Sequence, residues 1–259
     1  MTRAILAGAG ALPGLILAAG PAHLVRFAGV PVTATVGGPV IDARFERLGA
    51  LFADLRAAGV TELCLAGAMT RPDFDPTLLD AETAAVLPRL MAAMAQGDDT
   101  VLRTVIALLE EAGFAVVAAH TLRPDLVADP GILAGTPPDA PDADRARAVL
   151  AALGPLDVGQ SAVAGRGQVL GIETLQGTDA MLRFVAQTAP GSGGVLVKRP
   201  KLEQDLRVDM PAIGPETVRL AAAAGLAGIE IAAGRVLILD RAGVLAACAA
   251  AGVALWAVP

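Results

Sequence analysis

The 259-residue sequence contains no tyrosine, one tryptophan, six phenylalanines, two histidines and two cysteines. With aromatic residues at 3% and hydrophobic residues at 54%, the core must be built from aliphatic side chains, as in a globular protein. Cys64 and Cys248 lie in separate apolar runs with no C-x-x-C spacing. Buried free thiols are expected, and nothing requires an oxidising compartment. His23 and His120 each stand alone in apolar, strand-like surroundings without zinc spacing, and read as buried structural histidines. A Walker A sequence is absent. The net charge of -6, with no Lys/Arg tract, argues against a nucleic-acid partner, which would need a concentrated positive face. No apolar stretch reaches the roughly 18 uninterrupted residues of a membrane span. The run 4–19, after Arg3 and before Gly20-Pro21-Ala22, imitates a secretory signal. Gly8, Gly10, Pro13 and Gly14 interrupt it, however, and a strand, a glycine loop and a helix start explain it better.

In the first half, short apolar runs alternate with helical periodicity. Residues 4–7 read as a strand and 12–19 as a helix; Phe45, Leu48, Leu51, Phe52 and Leu55 recur at helical spacing before a strand at 63–66. A helix at 100–112 and a strand at 114–119 follow. Such β/α alternation predicts an α/β, Rossmann-like domain with a parallel sheet over residues 1–128. Five prolines among acidic and small residues between Arg123 and Asp144 mark a linker at 129–143. Residues 144–259 use a different grammar. Hairpins are expected at 160–174 and at 228–239, with helices at 178–187, 215–224 and 240–251 and a last strand at 253–258. Hairpins mixed with helices predict a C-terminal α+β domain.

Several loops carry groups suited to anion or metal chemistry. Gly8-Ala9-Gly10-Ala11-Leu12-Pro13-Gly14 follows a strand and opens a helix, so the amides near Gly10, Ala11 and Leu12 are a candidate phosphate cradle. A dinucleotide site would want an acidic residue about 20 positions on, yet none occurs before Asp42, which disfavours an NAD enzyme. A tight turn without ligand is the plainer alternative. Gly67, Thr70 and Arg71 sit at the carboxyl edge of the next strand, where open sheets place ligands, although Thr70 and Asp73 could equally satisfy turn backbone. Asp98 and Asp99 precede a helix; adjacent carboxylates suit Mg²⁺, while capping accounts for one of them. Gln176-Gly177-Thr178-Asp179 opens another helix with Thr178 as expected N-cap, and Gln160 suits a uracil or amide. Lys198-Arg199-Pro200-Lys201 is a basic loop close to Asp205, Arg207 and Asp209, which would share one side of an extended segment. Cations beside carboxylates are what metal-assisted phosphoryl chemistry needs; a solvated charged edge strand explains the spacing as well.

Taken in order, these blocks resemble the LpxI family of UDP-2,3-diacylglucosamine pyrophosphatases over nearly the whole chain. The most specific are Asp157-Val158-Gly159-Gln160 with Gln176 to Arg183, and Lys198 to Lys201 with Arg207-Val208-Asp209-Met210-Pro211-Ala212-Ile213-Gly214. Ala9 departs from the glycine usual in the family, which bears on the backbone near Gly10. The resemblance implies a hydrolase of two domains enclosing the substrate, dependent on Mg²⁺ or alternatively Mn²⁺ or Co²⁺. Water would attack the β-phosphate, releasing UMP from 2,3-diacylglucosamine 1-phosphate. It implies Asp209 as the essential carboxylate. The pyrophosphatase reading makes Asp209 a metal ligand or water-orienting group, with Asp98 and Asp99 as candidate metal partners and Lys198 and Arg207 on phosphate. An acylated substrate further implies a cytoplasmic protein working at the inner-membrane surface without an anchor, and a homodimer is compatible with it. A non-catalytic nucleotide-sugar-binding regulator on the same fold is the rival reading.

Overall fold

A computed structural model describes residues 2–34, 37–69, 74–202 and 204–259, the side chain of Asp98 excepted. The chain divides into two compact units. The first comprises Met1–Pro124 together with Arg207–Asp209, and the second Asp125–Leu206 together with Met210–Pro259.

The first unit contains β1 (Thr2–Ala7), α1 (Leu12–Leu17), β2 (His23–Phe27), β3 (Val40–Ala43), α2 (Leu48–Ala57), β4 (Val60–Ala66), α3 (Ala81–Met94), α4 (Asp98–Glu111), β5 (Ala115–Val116) and α5 (Ala119–Leu122). Its five strands form an all-parallel sheet in the order β3-β2-β1-β4-β5. Alternation along β1 feeds both faces of that sheet. Ala4 and Leu6 join Val25, Phe27, Leu51, Leu55, Ile106 and Leu109 in one cluster, while Ile5 and Ala7 are buried on the other face. The interrupted run near the N-terminus is thus the central strand, its glycine loop and α1. Val208 packs against the same cluster, so a short piece of the chain's second half belongs to this unit.

The second unit contains β6 (Gly131–Ala134), α6 (Pro141–Leu153), β7 (Ser161–Gly165), β8 (Gln168–Ile172), α7 (Gly177–Thr188), β9 (Val195–Lys198), β10 (Ala212–Ile213), α8 (Pro215–Ala223), β11 (Gly228–Ala232), β12 (Leu237–Ile238), α9 (Arg241–Ala251) and β13 (Ala254–Val258). Six strands form one mixed sheet in the order β6-β13-β11-β9-β7-β8. Strands β9, β11 and β13 run parallel; β6, β7 and β8 pair with their neighbours antiparallel. Being covered on both faces, β7 and β11 are buried throughout. Leu196, Ile229, Ile231 and Leu255 meet α7, α8 and α9, and Val195, Val197, Ala254 and Trp256 meet α6.

Three expectations change. Residues 129–143, read as a linker from their prolines, hold β6 and the start of α6; Pro141 is at the helix start, where its missing N–H costs nothing. The hairpin expected at 228–239 does not form, because β11 lies between β9 and β13 while β12 pairs in parallel with β10. The strand expected at 114–119 shortens to two residues, and His120 stands in α5 rather than in a strand. Among the described residues, no helix is long and apolar enough to cross a membrane.

Candidate active site

In the first unit the two predicted glycine loops are joined at the carboxyl ends of β1 and β4. Ala9 N donates to Ala68 O at 2.7 Å, and Ala68 N returns a bond to Ala9 O at 3.0 Å. A Cβ on Gly8 would come within 2.5 Å of Ala68 O, and one on Gly67, whose φ is +97°, within 2.6 Å of Ala9 O. These two glycines are therefore explained by backbone packing. Gly10, at φ +96°, faces open space, and Ala11 and Leu12 lead into α1 without a side-chain cap. Thr70 and Arg71 lie outside the described residues.

Helix α4 starts at Asp98, and the residue at its N-cap position is Gly97. Asp99 pairs with Arg103 one turn on, Oδ2 to Nε at 2.7 Å. Arg207 reaches the far end of the same helix, donating to Glu110 Oε1 at 2.7 Å. The segment that carries it is a turn at residues 206–208, so the alternation expected of an extended strand does not apply, and Asp209 follows the turn.

The second unit holds a denser polar centre. Lys198, the last residue of β9, is buried; its Nζ donates to Thr178 Oγ1 and lies 3.4 Å from Glu173 Oε2. Thr178 donates to the same Glu173 oxygen at 2.9 Å, and the Ser161 hydroxyl donates to it as well. Thr178 was expected as N-cap of α7, but Gln176 occupies that place, and Thr178 is freed to join this network. Gln176 Oε1 accepts from the Thr174 hydroxyl. Gly177 begins α7 at φ +82°, and Asp179 lies 3.9 Å from Arg183 at the exposed side of the helix. Gln160 O accepts from Arg199 N at 2.9 Å, and Lys201 pairs with Asp157.

Two domain descriptions fit this chain in sequence order: the LpxI N-terminal domain matches residues 2–126 and the LpxI C-terminal domain residues 129–256. The chain belongs to the LpxI family. It is 41% identical to UDP-2,3-diacylglucosamine pyrophosphatase LpxI from Caulobacter vibrioides, over 94% of this chain and 92% of that relative.

For an LpxI protein the structure sorts the predicted residues by unit. Gly10, Ala11, Leu12, Gly67, Asp98, Asp99, Arg207 and Asp209 lie in the first, Gln160, Gln176, Gly177, Thr178, Asp179 and Lys198 in the second. Lys198 and Thr178 are in direct contact. Ser161 and Glu173, neither of them among the predicted site residues, complete their cluster. Within the first unit, Asp99 brings an oxygen donor of the kind Mg²⁺ takes, at present engaged by a guanidinium. Among the described residues, no three His, Cys, Asp or Glu side chains converge as a ready metal centre.

Two features lie apart from the predicted residues. A solvent-open cavity of about 860 Å³ in the first unit is lined by Arg26, Asp42, Arg44, Arg47, Phe27 and Val30 among others. Arg26 and Asp42 in its wall neutralise each other at 2.8 Å. His120 is held below its usual titration range by burial, and among the described residues its Nδ1 has no hydrogen-bond partner.

Proposed function

We propose that this LpxI protein hydrolyses UDP-2,3-diacylglucosamine to UMP and 2,3-diacylglucosamine 1-phosphate. The observation that carries the reading is the 41% identity, spanning both domains, to a relative named for that substrate. The first unit's all-parallel sheet, with chain connections diverging on either side of β1 and β4, supports a Rossmann-like reading of that unit.

Hydrolysis moves a water oxygen onto the β-phosphorus while the bond to the bridging oxygen breaks, and UMP departs with that oxygen. Asp209 orients the water or ligates the cation. Lys198 meets phosphate charge from a buried position, where a cation acts more strongly than in water. Arg207 is half-exposed, and a surface pair such as Arg207–Glu110 is worth little, so a phosphate oxygen can replace Glu110. Mg²⁺, or Mn²⁺ or Co²⁺ in its place, would be held by Asp209 and Asp99 and would supply neutralisation of developing charge. The amides near Gly10 and Ala11, with Gly67, Thr70, Arg71 and Asp98, are assigned to substrate, as are Gln160, Gln176, Gly177, Thr178 and Asp179. The acyl chains bring the enzyme to the membrane surface.

The test is release of UMP from UDP-2,3-diacylglucosamine by purified protein with Mg²⁺. Asp209→Ala is expected to lower kcat by about 10³-fold or more, the scale of losing a group that acts on the reacting atoms. UMP released equally by both proteins would remove Asp209 from the mechanism, and no UMP from either would remove the reaction.

A further inference from the structure

Four polar side chains of the second unit meet at the carboxyl end of β9. Ser161 lies opposite Lys198 in the antiparallel register of β7 and β9. Both side chains address the face covered by α7, since Val163 and Leu196, two residues along each strand, are buried in the cluster with α7. Glu173 follows β8 and is anchored there by its amide, which donates to Ser161 O at 2.9 Å. Its Oε2 then accepts from the Ser161 hydroxyl and from Thr178 Oγ1, and faces Lys198 Nζ at 3.4 Å. Thr178 spends its proton on Glu173 and accepts from Lys198.

Stability alone is a poor explanation for this arrangement. A Lys–Glu pair in which the lysine is buried and the carboxylate largely covered sheds hydration from both partners, and apolar side chains of equal volume fill such a place as well or better. The position is moreover the carboxyl end of one of the parallel strands, where sheets of this kind receive ligands. An ammonium has three N–H groups. Among the described residues, Thr178 and Glu173 account for two, and the third has no protein acceptor.

We propose that Glu173, braced by Ser161, is a positioning residue that fixes the direction of the Lys198 ammonium and so presents its remaining N–H to a phosphate oxygen. This rests on the reading of Lys198 as the phosphate-binding cation. Glu173 itself touches no substrate; it acts through Lys198.

That dependence defines the experiment. Steady-state UMP release is measured for the full chain as wild type, Glu173→Gln, Lys198→Met and the double variant, with thermal melts of each. Glu173→Gln keeps the shape and an acceptor oxygen but removes the charge. It is expected to lower kcat by about 10- to 100-fold, with KM within about twofold. The double variant should be no slower than Lys198→Met alone, because the two residues act as one unit. Losses that multiply in the double variant, or wild-type kcat in Glu173→Gln, overturn the proposal. Should Glu173→Gln melt early, Ser161→Ala is carried through the same cycle, with an expected loss of about three- to tenfold that vanishes in the Lys198→Met background. Full activity in Lys198→Met overturns the assignment of Lys198 and this inference with it. A wild-type protein that releases no UMP overturns the hydrolase reading itself.

Discussion

Asp80 shows how much one carboxylate can organise. Its Oδ1 accepts from the Thr83 amide at 2.8 Å and hydroxyl at 2.6 Å, capping α3, and its Oδ2 accepts from Ala50 N at 3.1 Å near the start of α2. Burial pushes this carboxyl upward, but the hydrogen bonds from Thr83, Ala50 and Gly49 together outweigh it and leave it below the usual range. A depressed carboxylate contributes stability that is present above its unfolded value, about pH 4, and is lost as pH falls through its folded value. Asp80→Ala is therefore expected to cost about 1–2 kcal/mol at neutral pH, and the gap to wild type should narrow in acid. Urea midpoints at neutral pH and near pH 3 check this; an equal gap at both would contradict it. None of this was legible beforehand. Asp80 gave no signal apart from other acids, because its value depends on α2 folding back against α3. Glu230 is a sharper case: strand alternation places it on one face, yet what makes its burial tolerable is Arg147, 83 residues away on α6, with Trp256 Nε1 at 3.0 Å.

At the scale of elements, sequence periodicity reached what is local. β1, β4, the β7–β8 hairpin and helices α2, α7, α8 and α9 appear close to where apolar spacing put them. Failures came where one residue type serves two purposes. Prolines at 137, 138 and 141 read as linker punctuation although Pro141 starts α6, and Pro88 lies inside α3, a helix that was not foreseen. The glycine loops illustrate the same ambiguity in the site. A glycine after a strand suits both a phosphate cradle and a close backbone crossing, and only the structure separates Gly67, which crosses Ala9, from Gly10, which faces open space. Gly67→Ala combines a contact of 2.6 Å with positive φ and is expected to cost about 3 kcal/mol, whereas Gly20→Ala, with open space around it, should stay within about 0.5 kcal/mol. Thermal melts of both variants decide the matter: a Gly67→Ala protein as stable as wild type would mean that the joined loops are not held in the crossing described.

At the scale of the whole molecule, the chain supplies a separate reporter in each unit. Cys64 is buried in β4 of the first unit, its thiol pushed up to about 12 by burial, and so is unreactive while that unit is folded. Trp256, the single tryptophan, lies in β13 of the second. Each unit has its own core, so unfolding need not be all-or-none. The first sheet ends in short strands, β3 and β5, while the second has strands buried on both faces, which predicts that the first unit opens at lower denaturant. Asp209 goes with it. Arg207–Asp209 is the one stretch of the chain's second half that belongs to the first unit, where Val208 packs against the core. Loss of that core therefore dislodges the assigned catalytic carboxylate while Lys198 and Glu173, in the second unit, stay in place. Across a urea series, hydrolysis should fall together with the exposure of Cys64 to a thiol reagent and before the change in Trp256 fluorescence. Activity that survives Cys64 labelling and disappears only with the tryptophan signal would show that the first unit, and Asp209 with it, is dispensable to the chemistry.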